Sequence, residues 1–442
     1  MNILKTFSRG GLYPREMKGR LGARPLENAA IPPLSIVPLL QHKGEKADCT
    51  VHPREAVKEG MLIGRAKGQG SCHVHSPVPG IVRYVREITL PWGDKTPAVF
   101  IELGGEFNRL GKPVYPHPWE GNRTDRLLSV LEEKGVVGLY SGIPVHRKLA
   151  IPEGRTVETL IINGVECEPY LCADNRLMVE KAEELINGSR MAAAITRAQR
   201  TVIALSSDKR DARAALKKKI EALNANIEIK ALWPRYPLGD EKQLIKALTG
   251  EEIPSGKSAI DTGAVVLNTG TVLTMYEAVV LEKPFIERSI TVAGKAIRHP
   301  GNLKVRIGTP IAELVEECGG FTQMPEKIVV GGPMTGWGIA DLYATPVTKT
   351  CSGVLFLSAK EIHGSRRTNC LNCGRCTRSC PMGLSPSTLY KWVEHSAFEE
   401  ARCEGIMDCS ECGSCTYACP ARLPLVQEIR AGKLVLQTGG GA

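Results

Sequence analysis

The chain has 442 residues, 43% of them apolar and 24% charged, with a formal charge of +10. That length suits roughly three domains, and the ordinary charged fraction with glycine and proline spread throughout excludes a disordered chain. No window approaches about twenty uninterrupted apolar residues, so no membrane span is expected, and residues 1–10 carry no apolar core of a secretory leader.

Residues 1–29 hold Gly10, Gly11 and Pro14 with little periodicity, and read as an extended arm. From 30 to 115 the text is short alternating runs (35–40, 49–53, 61–66, 72–85, 98–103) broken by Gly and Pro, the pattern of an all-β unit. Its run from His75 to Val82 resembles a strand of the lipoyl/biotinyl barrel sandwich, without a lysine placed to carry the prosthetic group. His73 and His75 fall on one strand face. Lacking third and fourth ligands nearby, they read as structural rather than as a metal pair.

Between 120 and 284 strands and helices alternate: a helix at 123–134, a glycine-containing loop at 135–142, a buried strand at 160–162, and a helix capped by Asp174 running to about 190. A strand at 201–206, a helix at 208–223 and a strand at 227–232 follow, with Asp240 and Glu241 read as a turn. This alternation predicts an α/β layer with a largely parallel sheet and ligands at the carboxyl ends of its strands. Residues 285–360 return to strands (289–293, 303–307, 327–330) around one short helix at 310–318, a small mixed β domain. A cysteine-rich helical unit at 365–425 and a tail at 426–442, frayed past Leu436, complete the chain.

Eight of the fifteen cysteines form two copies of C-x2-C-x2-C-x3-C-P: Cys370, Cys373, Cys376 and Cys380 before Pro381, and Cys409, Cys412, Cys415 and Cys419 before Pro420. This is the spacing by which bacterial-type ferredoxins hold two 4Fe-4S clusters, the fourth cysteine of each run serving the other cluster. The expected ligand sets are therefore Cys370, Cys373, Cys376 with Cys419, and Cys409, Cys412, Cys415 with Cys380. Zinc prefers two separated ligand pairs, and the scattered remaining seven cysteines suit a reducing compartment rather than disulfides. Two clusters with their thiolates would bring the net charge nearer neutrality, so bulk charge argues little for nucleic acid. Local charge says more: His363, Arg366, Arg367, Arg375 and Arg378 crowd the first motif and could steer an acidic electron carrier.

Three further segments, Asn163 to Pro169, Tyr236 to Lys242 and Asn268 to Thr271, lie with the 135–142 loop ahead of the cysteine motifs. Together with Arg9-Gly10-Gly11, Ile286 to Gly294 and Pro300 to Asn302, they make nearly the whole chain resemble the C subunit of the Rnf ion-translocating oxidoreductase. That family shares its central domain with the flavin subunit of respiratory complex I. The resemblance implies a multidomain α/β chain: an N-terminal β barrel-sandwich, a complex-I-flavin-subunit-like domain, a β-grasp-like domain and an α-helical bis-4Fe-4S ferredoxin-like domain. It also implies an FMN, able to exchange electrons in pairs with NAD and singly with clusters. Its phosphate would lie against Gly138, Ser141 and Gly142, with Lys148 as counter-charge and Asn268, Thr269 and Thr271 as donors. Asn163, Glu166 and Glu168 would lie along the ring and ribityl side, and Gly239, Asp240 and Glu241 opposite.

The chain departs from the family at that loop. Members usually read Gly-Leu-Gly-Gly-Ala-x-Phe-Pro, whereas Gly138-Leu139-Tyr140-Ser141-Gly142-Ile143-Pro144 is one residue shorter and puts Tyr140 and Ser141, whose Cβ atoms penalise positive φ, where glycines stand. The resemblance implies a peripheral subunit on the cytoplasmic side of the cell membrane, passing electrons between ferredoxin and NAD for a complex that moves Na+ or H+. In the altered-loop form the far partner would be another acceptor, a quinone-like carrier or cytochrome, with this chain a relay. A soluble flavin reductase, for example of a corrinoid, and a flavin-free scaffold are the other readings.

Overall fold

The computed structural model describes residues 5–362 and 367–438. His363 and Arg366 of the expected basic patch lie outside them. Four units follow one another along the chain.

The first is a sandwich of two antiparallel sheets. One has the order Leu34–Pro38, Lys95–Leu103, Gly80–Thr89, Ala56–Val57, and the other Asp48–Cys49, Leu62–Arg65, Val74–His75. Alternation sends Val37, Val74, Val82, Val99 and Ile101 into the space between them.

The second unit is a four-stranded, wholly parallel sheet in the order Glu228–Leu232, Arg200–Ser206, Thr159–Gly164, Ala264–Asn268. Every residue of the inner Thr159–Gly164 strand is buried, which explains its uninterrupted apolar run. One face is covered by a cluster that includes Leu185, Met191 and Met275, the other by one that includes Leu244, Ile245 and Phe7. From Thr159–Gly164 the chain builds the sheet toward Glu228–Leu232, then returns to place Ala264–Asn268 on the opposite side. That reversal opens a crevice at the carboxyl ends of Thr159–Gly164 and Ala264–Asn268.

The third unit is a mixed six-stranded sheet in the order Leu26–Asn28, Gly301–Arg306, Glu287–Ala293, Gly353–Leu357, Lys327–Val330, Trp337–Ile339, backed by the helix Ile311–Glu317. The fourth joins two cysteine loops to the helices Pro386–Glu394, Phe398–Cys403 and Leu425–Thr438. Lys349 ties three units: its buried ammonium donates to His73 O at 2.7 Å and Gly135 O at 2.8 Å.

The structure differs from four sequence expectations. The arm is not merely extended: Leu26–Asn28 is an edge strand paired in parallel with Gly301–Arg306, and Phe7 is fully buried, so backbone groups and an apolar ring find partners far along the chain. The helix expected at 174–190 is two, Ala173–Glu180 and Ala182–Thr196, and Asp174 lies inside the first rather than capping it. Asp240 and Glu241 are not an isolated turn: Asp240 caps the helix Glu241–Thr249 by accepting from Lys242 N and Gln243 N. The tail is the helix Leu425–Thr438, packed on Pro386–Glu394 where Gly432 admits Val393. Among the described residues no helix is long and apolar enough to cross a membrane.

Candidate functional site

The crevice is built from four segments. Asn163, at the end of its strand, accepts from Val165 N at 3.1 Å and donates to Gly239 O at 2.9 Å, fastening the 163–169 loop to the 236–240 loop. Gly239 N donates to Cys167 Sγ at 3.3 Å across the same seam. Asn268 caps the helix Thr269–Val280 through Gly270 N at 2.8 Å and donates to Asp174 Oδ2 at 2.7 Å. Burial first, then the Glu166 charge, raises the Asp174 pKa to about 6.

The glycine loop closes on itself, with Gly138 N donating to Ile143 O and Gly142 N to Gly138 O, both at 2.9 Å. Ser141 Oγ accepts from Ile143 N at 3.3 Å, and Leu139 N donates to Thr271 Oγ1 at 3.0 Å, pinning the loop to the first turn of Thr269–Val280. Tyr140 adopts φ +60° despite its Cβ, so the turn keeps a glycine-like path at a cost of about 1–2 kcal/mol. Its ring is 48% exposed, while burial and then Asp174, Glu166 and Glu168 push its pKa well above the ordinary value.

Three of the expected carboxylates are engaged with the protein itself. Glu166, at φ +44°, accepts from Asp174 N at 2.7 Å and Asn175 N at 3.2 Å, capping Ala173–Glu180, and pairs with Lys209 Nζ at 2.9 Å in the interior. Its carbonyl accepts from half-buried Lys18 Nζ at 2.6 Å. Glu168 reaches the third unit, accepting from Thr335 Oγ1 and, at 3.1 Å, from Met334 N, and burial raises its pKa. Glu241 is paired with Lys148 Nζ at 3.1 Å. Sequence reasoning gave no role to Lys18 and Lys209, which hold Glu166, or to Arg288, which lies against Gly270 although it falls in the 286–294 segment that carries the resemblance. Thr269 Oγ1 is buried without a partner beside the helix N-terminus, the mark of a place made for a ligand acceptor. On that observation the crevice fits a phosphorylated planar cofactor.

The cysteines line two separate cavities. One is lined by Cys380, Cys409, Cys412 and Cys415, with Leu389, Val426 and Ile429. The other is lined by Cys370, Cys373, Cys376 and Cys419, with Leu371 and Leu425. Each thus draws three cysteines from one motif and the last from the other. Among the described residues no three His, Cys, Asp or Glu side chains gather around one ion. The loops repeat in detail: Asn372 and Glu411 have left-handed φ, as do Gly374 and Gly413, which start the helices Arg375–Ser379 and Ser414–Ala418. Burial pushes the Cys409 thiol up to about 12 and also raises Cys380, Cys412 and Cys415 of the same cavity, so those four sulfurs hold charge only beside a cation. His73 and His75 remain apart from any such cavity, with His73 Nδ1 accepting from Ala66 N at 3.1 Å.

The crevice and the first cavity share a wall. Tyr236 Oη donates to Cys412 O at 2.6 Å, and Gln243 Nε2 to Met382 Sδ at 3.2 Å. The arm threads between them, with Gly11 N donating to Ser379 O at 2.9 Å and Leu12 N to Tyr236 O at 2.8 Å. The second cavity is turned outward: Cys373, Leu371, Arg375 and Arg378 are exposed, and Arg378 Nη2 donates to Cys373 O at 3.0 Å.

Three family models match the chain: the RnfC barrel sandwich hybrid domain over residues 6–106, the Nuo51 FMN-binding domain over 131–277, and the SLBB domain over 289–337. Among solved structures, the NAD+-reducing [NiFe]-hydrogenase in its H2-reduced state has a chain similar in fold, at 16% identity and TM-score 0.52, over 72% of this chain and 63% of that one. These domains in this order define the class of oxidoreductase subunits built on a complex-I-type flavin domain.

Curated relatives narrow the class. The chain is 37% identical over 430 residues to the C subunit of the proton-translocating ferredoxin:NAD(+) oxidoreductase complex of Clostridium ljungdahlii, covering 97% of this chain and 93% of that one. It is 36% identical to the Na(+)-translocating counterpart of Acetobacterium woodii, over 98% of both chains, and 38% identical to the C subunit of the ion-translocating oxidoreductase complex of Rhodobacter capsulatus, over 97% and 83%. The chain belongs to the RnfC family, the C subunits of Rnf complexes.

Proposed function

We propose that this chain is the peripheral subunit of a membrane-bound ion-translocating complex that passes electrons between NAD(H) and the other subunits through FMN and two 4Fe-4S clusters, on the cytoplasmic side. The observation that carries this reading is the pair of cavities with exchanged fourth cysteines, one of them sharing a wall with the crevice. When bound, the flavin supplies two-electron exchange on one side and one-electron exchange on the other.

The protein's own groups position and insulate that chemistry. The glycine loop, Thr271 and Asn268 fix one lip of the crevice, and Asn163 with Gly239 the other. Cys380, Cys409, Cys412 and Cys415 would hold the near cluster, and Cys370, Cys373, Cys376 and Cys419 the far one. Buried Leu389, Val426 and Ile429 exclude water from the near set. The exposed far cavity with Arg375 and Arg378 suits an acidic one-electron carrier such as a ferredoxin, or a sister subunit. The ion moved, Na+ or H+, would pass through other subunits. Near-complete coverage of relatives that work within such complexes favours this reading over a stand-alone corrinoid or other flavin reductase.

The test is anaerobic mixing of the full-length protein with NADH, followed by absorbance. Bleaching of flavin and then of cluster bands within the turnover time is the expected result. Clusters reducible by dithionite but untouched by NADH would favour the relay to another acceptor, for which Tyr140 in the crevice is the supporting observation.

A further inference from the structure

Arg288 belongs to the Glu287–Ala293 strand of the third unit, yet its head enters the crevice of the second. The residue is 4% exposed. Nε donates to Cys351 O at 3.1 Å and is thereby oriented. The Nη1 and Nη2 fork lies against the first turn of Thr269–Val280, where a Cβ on Gly270 would stand 3.1 Å from each nitrogen. Among the described residues neither Nη has a hydrogen-bond or ion-pair partner, although the residue is buried.

A buried guanidinium is unfavourable unless an anion answers it. Asp174 answers that charge only in part, and no carboxylate touches the fork. Asp174 acts on Arg288 only through space and is itself hydrogen-bonded to Asn268, while Glu166 is taken up by Lys209 and a helix cap. The other cation expected here, Lys148, is already paired with Glu241. The fork lies against Gly270, the second residue of a twelve-residue helix whose first residue, Thr269, has a buried hydroxyl without a partner and of whose first-turn amides Asn268 caps only that of Gly270. A planar two-pronged cation, a hydroxyl and helix-terminal amides together describe a receptor for a tetrahedral oxyanion.

We propose that Arg288 joins the phosphate seat that the resemblance places at Asn268, Thr269 and Thr271, so that a residue of the third unit completes the FMN site of the second. This rests on the flavin reading and adds the residue that distinguishes FMN from its unphosphorylated form. Gly270 follows from it, since any side chain there would press on the fork.

The experiment uses the full chain, purified anaerobically with its cysteine-bound chromophore intact and stripped of flavin by dialysis. Fluorescence quenching gives dissociation constants for FMN and riboflavin, with inorganic phosphate as competitor. Arg288→Gln is expected to weaken FMN by about 10- to 100-fold, leave riboflavin unchanged and abolish competition by phosphate. Thr269→Val removes a hydroxyl that the unliganded protein leaves unpartnered. It is expected to weaken FMN by about 10-fold without lowering the melting temperature of the flavin-free protein. FMN and riboflavin weakened alike, or FMN binding unchanged in Arg288→Gln, would overturn the proposal while leaving the flavin reading standing. Wild-type protein that binds neither flavin would overturn the flavin reading itself.

Discussion

Glu166 provides a direct test of how the crevice is held. Its carboxylate accepts two amides of Ala173–Glu180 and pairs with Lys209, with side-chain exposures of 2% and 5% for the two partners. Truncating it in Glu166→Ala strands a buried ammonium, a loss of about 3–5 kcal/mol, and removes a helix cap worth about 0.5–2 kcal/mol. The two share one side chain and overlap, so about 4 kcal/mol is expected, roughly a thousandfold in the folding equilibrium. Urea unfolding followed by circular dichroism measures the loss, and hydrogen exchange should localise it to 173–180. Glu166→Gln with Lys209→Met, which removes both charges and keeps an acceptor, should recover at least half. Glu166→Ala within about 1 kcal/mol of the wild type would refute the reasoning and free this carboxylate for direct contact with a ligand.

Three other outcomes are expected. Cys380→Ser should spare the cluster bound by its own motif and lose that of Cys409, Cys412 and Cys415, leaving about four irons of eight by iron analysis. Gly10→Ala sets a side chain against Cys380 O at a position of φ +62°, so the arm should lift from the cysteine loop and be cut faster in limited proteolysis. Asp174 has its pKa raised in the folded chain from 3.8 to about 6, so its contribution to stability is full below about pH 4 and lost as pH rises through 6. Asp174→Asn should flatten stability across that window in pH-dependent urea unfolding.

Much of this was legible in the sequence, for reasons that differ by region. The parallel sheet showed itself in continuous apolar runs such as Leu160-Ile161-Ile162, because both faces of that strand are covered. The exchanged cysteine sets followed from spacing alone, since a trailing cysteine on a new segment points away from its own loop. The direction of a carboxylate was not legible. Glu166 and Glu168 were expected as cofactor contacts and Asp240 as part of a turn, and what decides is the partner each finds, Lys209 for the first, Thr335 for the second and a helix start for the third. Arg288 escaped notice because it sits in an ordinary strand of the next unit, and only the packing of two units carries its head to the helix end. The arm likewise offered no periodicity, its order coming from strand pairing across the chain.

The claim on which the rest depends is that two four-cysteine cavities conduct single electrons beside a flavin crevice. Low-temperature paramagnetic resonance of the reduced, oxygen-protected full chain, read with its metal and flavin content, tests this most directly. The account predicts about eight irons and one FMN per chain and two magnetically interacting clusters. Zinc in place of iron, or no paramagnetic signal after reduction, would contradict it.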